Sequence, residues 1–296
     1  MSERKATHAG TWYSSNKKDL SDKLERWLSK ASCVESPVKA IIAPHAGYSY
    51  CGAVGAHSYR QLNSKTIKRI FILGPSHHVY LSGCAISGTS VYNTPLTNLK
   101  IDTQVNEELM ESGLFEVMNI NTDEDEHSIE MQLPYIAKVM EGCPHEFTIV
   151  PILVGSLSME KEKQYGQLFS KYFANPGNFF IISSDFCHWG RRFRFTYHEK
   201  KYKYIYQSIE ALDKMGMDLI EKLLARDFID YLKKYGNTIC GRHPIAVMLF
   251  AVEHLHKSNG HAPNYKFRFL NYAQSNNCQS MSDSSVSYAA GALYQK

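Results

Sequence analysis

Three short apolar runs in this chain end in the same way, and that repetition limits what it can fold into. Residues 70–73 (Ile-Phe-Ile-Leu) stop at Gly74-Pro75 and deliver Ser76, His77 and His78. Residues 40–43 (Ala-Ile-Ile-Ala) stop at Pro44 and deliver His45, Ala46, Gly47 and Tyr48. Residues 179–183 (Phe-Phe-Ile-Ile-Ser) run into Ser184, Asp185, Phe186, Cys187, His188 and Trp189. A continuous apolar run closed by a loop signal reads as a buried strand. In open α/β sheets, reactive groups collect where strand C-termini meet loops. Three strands that each end in a histidine therefore predict a site.

Helical spacing recurs between the strands. Ser15 or Asn16 can cap a helix that carries Leu20, Leu24, Trp27 and Leu28 at helical intervals. Small residues across 49–59 predict a helix lying close to a sheet or a ligand, and further helices are expected over 103–112, 123–140, 160–173, 202–222 and 228–235. Pro244 suits the first turn of a helix over 245–256. Extended segments are expected at 84–91, 99–101, 147–154, 265–273 and 284–293. No repeat or linker divides the chain. The expected fold class is α/β: a single domain over 1–296, sandwiching one mostly parallel β-sheet.

Composition narrows the function classes. A net charge of only +4, without a basic block, argues against nucleic acid as a partner. The apolar runs at 147–154 and 246–252 are too short to span a bilayer, so no membrane insertion is expected. The first residues lack the apolar stretch of a secretory signal, and the seven cysteines are odd in number with no CxxC pair. Reduced thiols in the cytoplasm are the expectation.

Histidine is the commonest metal ligand, and imidazoles on separate strand-end loops converge easily. His45 and His77 lead the candidates. Cys240 is third, because it precedes Gly241-Arg242-His243-Pro244 at a predicted helix N-terminus, where the helix dipole favours thiolate. Asp185 and His188 share one tight loop and could orient or exchange a proton. His127 and Glu130 stand three apart on a predicted helix, as acid/base groups, supporting partners or a first-turn ion pair. Nucleophile-elbow, phosphate-loop and dinucleotide motifs are absent from the sequence.

Taken together, the segments Ile-Ile-Ala-Pro-His45-Ala-Gly-Tyr, Gly-Pro-Ser-His77-His, Asp-Glu-Asp-Glu-His127-Ser-Ile-Glu, Ser-Ser-Asp185-Phe-Cys-His188-Trp and Thr-Ile-Cys240-Gly-Arg-His-Pro resemble the Memo family, as does the closing Ser-Ser-Val-Ser-Tyr-Ala-Ala-Gly-Ala. The resemblance extends from His8 to about Leu293. It implies a fold like that of class III extradiol dioxygenases, with His45, His77 and Cys240 as metal ligands. His127, Asp185 and His188 match cleft positions and would be catalytic or supporting groups. A thiolate in place of the dioxygenases' carboxylate favours copper, zinc or a more covalently bound iron and argues against ring cleavage. The family is associated with receptor-tyrosine-kinase-driven cell motility and with copper-dependent redox activity. One copper or iron ion per chain is expected, in a cytoplasmic protein that also reaches the nucleus. The alternative is a non-enzymatic adaptor whose cleft takes a phosphotyrosine-containing receptor segment. Arg191, Arg192, Arg194 and Arg242 beside Trp12, Tyr48 and Trp189 would then supply charge and aromatic walls.

Overall fold

Alternation along the central strands sorts the core into two layers. The computed structural model describes residues 2–34, 36–258 and 264–296. The chain begins with β1 (Glu3–Arg4) and α1 (Lys17–Leu28), then β2 (Val38–Ala43), α2 (Tyr48–Tyr59) and β3 (Arg69–Pro75). Short strands β4 (Cys84–Ile86), β5 (Val91–Tyr92) and β6 (Leu99–Lys100) follow, with α3 (Thr103–Glu111) and β7 (Phe115–Val117). Three short helices come next: α4 (Ile120–Asp125), α5 (His127–Glu130) and α6 (Leu133–Val139). Then come β8 (Thr148–Val154), α7 (Met159–Ala174), β9 (Asn178–Ser183) and β10 (His188–Trp189). Helices α8 (Ile205–Glu221), α9 (Ala225–Tyr235) and α10 (Arg242–Ser258) precede the antiparallel pair β11 (Tyr265–Gln274) and β12 (Ser285–Gln295).

A nine-stranded sheet runs in the order β10-β12-β2-β9-β3-β8-β4-β7, with β11 paired to β12. Its centre, β2-β9-β3-β8, is parallel. Antiparallel strands flank that centre, β12 against β2 and β4 against β8. Helices cover both faces, which is why the central strands are uninterrupted apolar runs. Ala40 and Ile42 share one core layer with Phe169 of α7 and Met248 of α10. Ile41 and Ala43 share the other with Leu24 of α1, Ala56 of α2 and Ile136 of α6. Each fully buried Ile or Phe there contributes roughly 1.5–3 kcal/mol. The register sets Ala43 beside Ser183 and Leu73 beside Ile182, so the loops after β2, β9 and β3 leave the sheet together.

The expected helix over 123–140 is broken into pieces, and side chains explain why. Glu126 adopts an extended backbone (φ −79°, ψ 119°) between α4 and α5, and its carboxylate accepts from the Ser128 N–H. Pro134 has no N–H to continue a helix and instead sits in the first turn of α6. The break turns His127 toward the strand ends. Elsewhere Asn16 caps α1 by accepting from the Asp19 N–H, as its sequence suggested.

Candidate metal centre

His45 leaves the end of β2 as a buried ring held at both ends. Its backbone N–H donates to Asp185 Oδ1 at 2.8 Å, and its Nδ1 lies 2.7 Å from Ser183 Oγ. Ser183 settles which ring nitrogen carries the proton. Its hydroxyl donates to the Ser128 carbonyl at 2.7 Å and accepts from Gln132 Nε2 at 2.9 Å. A hydroxyl has one proton and two lone pairs, so the remaining lone pair accepts from His45 Nδ1–H. The Nε2 lone pair of His45 is thereby left facing Cys240 Sγ, 3.1 Å away. Burial and the neighbouring histidines hold the His45 pKa well below its ordinary value, so this imidazole is neutral.

His77 is fixed by a carboxylate. Glu126 takes its backbone N–H at 2.7 Å on one oxygen and its Nδ1 at 2.9 Å on the other. Such a partner orients a ligating imidazole and raises its basicity. Burial disfavours charge on His77, yet hydrogen bonds to Cys240 and Glu126 hold its pKa up to about 10. Burial likewise disfavours the Glu126 carboxylate, but His77 brings it down to about 2. His127 stacks on His77 with ring centroids 4.4 Å apart and an interplanar angle of 20°. Burial and the His77 charge push His127 down to about 3, so it is a neutral base. One ring nitrogen from each of His45, His77 and His127 lies within 4.8 Å of the others, close enough to serve one ion. The donor set is right for copper, iron or zinc.

Two glycines let these loops meet. A Cβ on Gly74 would fall 2.5 Å from Ser128 Oγ, so its absence allows α5 to pack on the end of β3. A Cβ on Gly241 would fall 2.3 Å from Ser184 Cβ, so its absence allows the Cys240 loop to lie against the end of β9. Cys240 Sγ also accepts from the Asp185 N–H at 3.1 Å. Burial pushes the Cys240 thiol up, against the pull of His77, which offsets the thiolate expected from its place ahead of α10. Its neighbour His243 gives no help, because its Nδ1 is paired with Glu162 at 2.7 Å on α7.

The other candidates divide. The buried Asp185 braces the His45 loop rather than an imidazole ring, and burial raises its carboxyl to about 7. His188 faces the carbonyls of Phe186 (2.9 Å) and Thr238 (3.2 Å) through Nδ1, and burial lowers its pKa. It stands outside the three-histidine group. Glu130 points away from that group. Fully buried, it binds Arg4 Nη1 at 2.7 Å, Tyr13 Oη at 2.7 Å and His8 Nδ1 at 2.9 Å. That ties down an arm whose Trp12 packs against His127, with ring centroids 4.5 Å apart and planes tilted by 33°. Of the aromatic walls expected for a phosphopeptide cleft, Trp12 is exposed, but Trp189 is fully buried and Tyr48 nearly so. The reason is the core itself: Trp189 donates its indole N–H to the Tyr197 carbonyl, and Tyr48 donates its hydroxyl to the Met131 carbonyl.

Ser183, Glu126 and Arg4 carry this arrangement and were not singled out by sequence. A serine closing a strand carries little signal. Glu126 was one of four acids in a row, and Arg4 meets its partners 119 and 126 positions away.

Comparison with known proteins agrees with the motifs. The family model described as "Memo-like protein" matches residues 4–292. The protein named MEMO1 of Danio rerio is 60% identical over 290 residues, covering 98% of this chain and 97% of that one. MEMO1 of Homo sapiens is 58% identical with the same coverage. The memo-1 homolog of Caenorhabditis elegans is 51% identical over 292 residues, covering 98% of this chain and 82% of its own. A solved structure of an uncharacterized Escherichia coli K12 protein shares the fold at a TM-score of 0.52 and 12% identity, covering 84% of this chain and 99% of that one. With a family match over residues 4–292 and relatives about 60% identical along nearly its whole length, this chain belongs to the Memo family.

Proposed function

We propose that this chain binds one copper or iron ion and acts as a redox protein in receptor-tyrosine-kinase-linked cell motility, in the cytoplasm and the nucleus. One observation carries the reading: His45 and His77 each have Nδ1 tied to an oxygen partner, which leaves both Nε2 atoms for the space shared with Cys240 and His127. His45, His77 and Cys240 would hold the ion, and His127 brings a further ring nitrogen. A bound copper or iron ion would supply one-electron exchange with dioxygen or a reductant.

The chain's own residues prepare that chemistry. Ser183 holds the proton on His45 Nδ1, and Glu126 holds the one on His77 Nδ1. The Nε2 proton of His77 must leave before that nitrogen can donate, which couples binding to proton release. Asp185, with a carboxyl near pKa 7, can keep or give up a proton within the site at neutral pH. Trp12 packs its ring against His127. No helix of the described residues is long and apolar enough to cross a membrane.

Oxygen uptake with ascorbate, measured on copper-loaded and iron-loaded protein, tests this. Cys240→Ser should abolish uptake while leaving affinity for a phosphotyrosine peptide nearly unchanged. Uptake by neither loaded form contradicts the redox reading. Tight metal binding without uptake would make the protein a metal buffer, and peptide binding without metal would make it an adaptor.

A further inference from the structure

At the end of the central strands opposite the histidines, a cavity of about 670 Å³ opens beside the first residues of β2 and β9. Pro37, Ile67, Phe173, Phe179 and Tyr265 contribute apolar wall, and Lys39 and Arg60 bring two positive charges. Among the described residues that line it there is no Asp or Glu. The unusual member is Lys39, which is only 8% exposed. Its ammonium donates to the backbone carbonyls of Asn175 and Asn178, and no described carboxylate pairs with it. Burial alone draws its pKa down to about 8.

An ammonium has three N–H donors, and here two meet carbonyls. Two neutral carbonyls only partly compensate a cation taken out of water. A carboxylate entering the cavity would supply the counter-charge, and the apolar walls would take up a hydrocarbon body. We propose that this cavity is a binding site for an amphipathic organic anion, with its acid group on Lys39 and Arg60 and its apolar body against Phe173 and Phe179. The site lies at the opposite end of the central strands from the metal centre and does not depend on metal being bound.

Titration calorimetry of the full chain with octanoate, octanol and octylammonium tests the assignment. Octanoate should bind at least roughly tenfold more tightly than octanol, the value of a charge-assisted hydrogen bond, and octylammonium should not bind. Lys39→Met should bring octanoate down to within about threefold of octanol, the share left to Arg60. The exposed Arg60 allows a milder variant, Arg60→Gln, which keeps the test available if Lys39→Met does not fold. It should weaken octanoate by about threefold and leave octanol unchanged. Cys33 is exposed and lines the same cavity, so octanoate should also slow its alkylation. Equal affinity for octanoate and octanol, no octanoate binding in the millimolar range, or unchanged octanoate affinity in both variants would overturn the proposal.

Discussion

Glu126 and Glu130 stand four residues apart in one acidic stretch, both buried, and both are held near pKa 2 against the pull of burial. Their partners differ. Glu130 faces the permanent charge of Arg4, together with Tyr13 and His8. Glu126 faces His77 and two backbone N–H groups. An arginine cannot give up its proton, so the Glu130 cluster is a fixed clamp that fastens the N-terminal arm. A histidine can lose its Nε2 proton and still donate through Nδ1. The Glu126 pair therefore survives a change of charge, which a metal-binding site requires and a clamp does not.

The largest expected effect is on the clamp. Arg4→Met leaves Asp123 and Glu130 buried without their counter-ion, and breaking such a cluster costs about 3–5 kcal/mol. Urea unfolding should register that loss while metal content per folded chain stays the same. A loss of metal in step with stability would erase the distinction between the two glutamates.

Acid should reveal the clamp next. Glu130 ionises at about 2 in the folded protein against an ordinary 4.5, so between those values the unfolded chain binds more protons. Its stabilisation, about 3 kcal/mol, is complete above pH 4.5 and is lost as pH falls toward 2. Glu130→Gln should flatten the fall in urea midpoint over that range. An unchanged slope would mean that other groups govern acid unfolding.

The smallest of the three effects separates the other glutamate. Glu126→Gln keeps the shape but removes the carboxylate behind His77, and metal affinity should drop roughly 10- to 100-fold. Competition with a chromophoric chelator measures this directly. Wild-type affinity in that variant would reduce Glu126 to a helix cap.

Much of this was legible in the sequence, for identifiable reasons. His45, His77 and Asp185 follow apolar runs whose burial on both faces is written in their composition, and parallel pairing brings those strand ends together. Cys240 was legible through its glycine and the helix behind it. Ser183 was hidden because it ends an apolar run and looks like part of the strand. Arg4 looked like one of several charges in Ser-Glu-Arg-Lys, since nothing local marks a partner more than a hundred residues away. The break at Glu126 was hidden for a related reason: its side chain leaves the helix for His77, a contact that helical periodicity does not encode. Trp189 and Tyr48 were read as cleft walls, whereas their polar ends meet backbone carbonyls inside the core.

Metal analysis tests the central claim most directly, on protein purified under reducing, chelator-free conditions beside a His45→Ala, Cys240→Ser double variant of verified fold. The account predicts about one copper or iron per wild-type chain and none in the variant. Metal in neither, even after reloading, or equal metal in both, would contradict it.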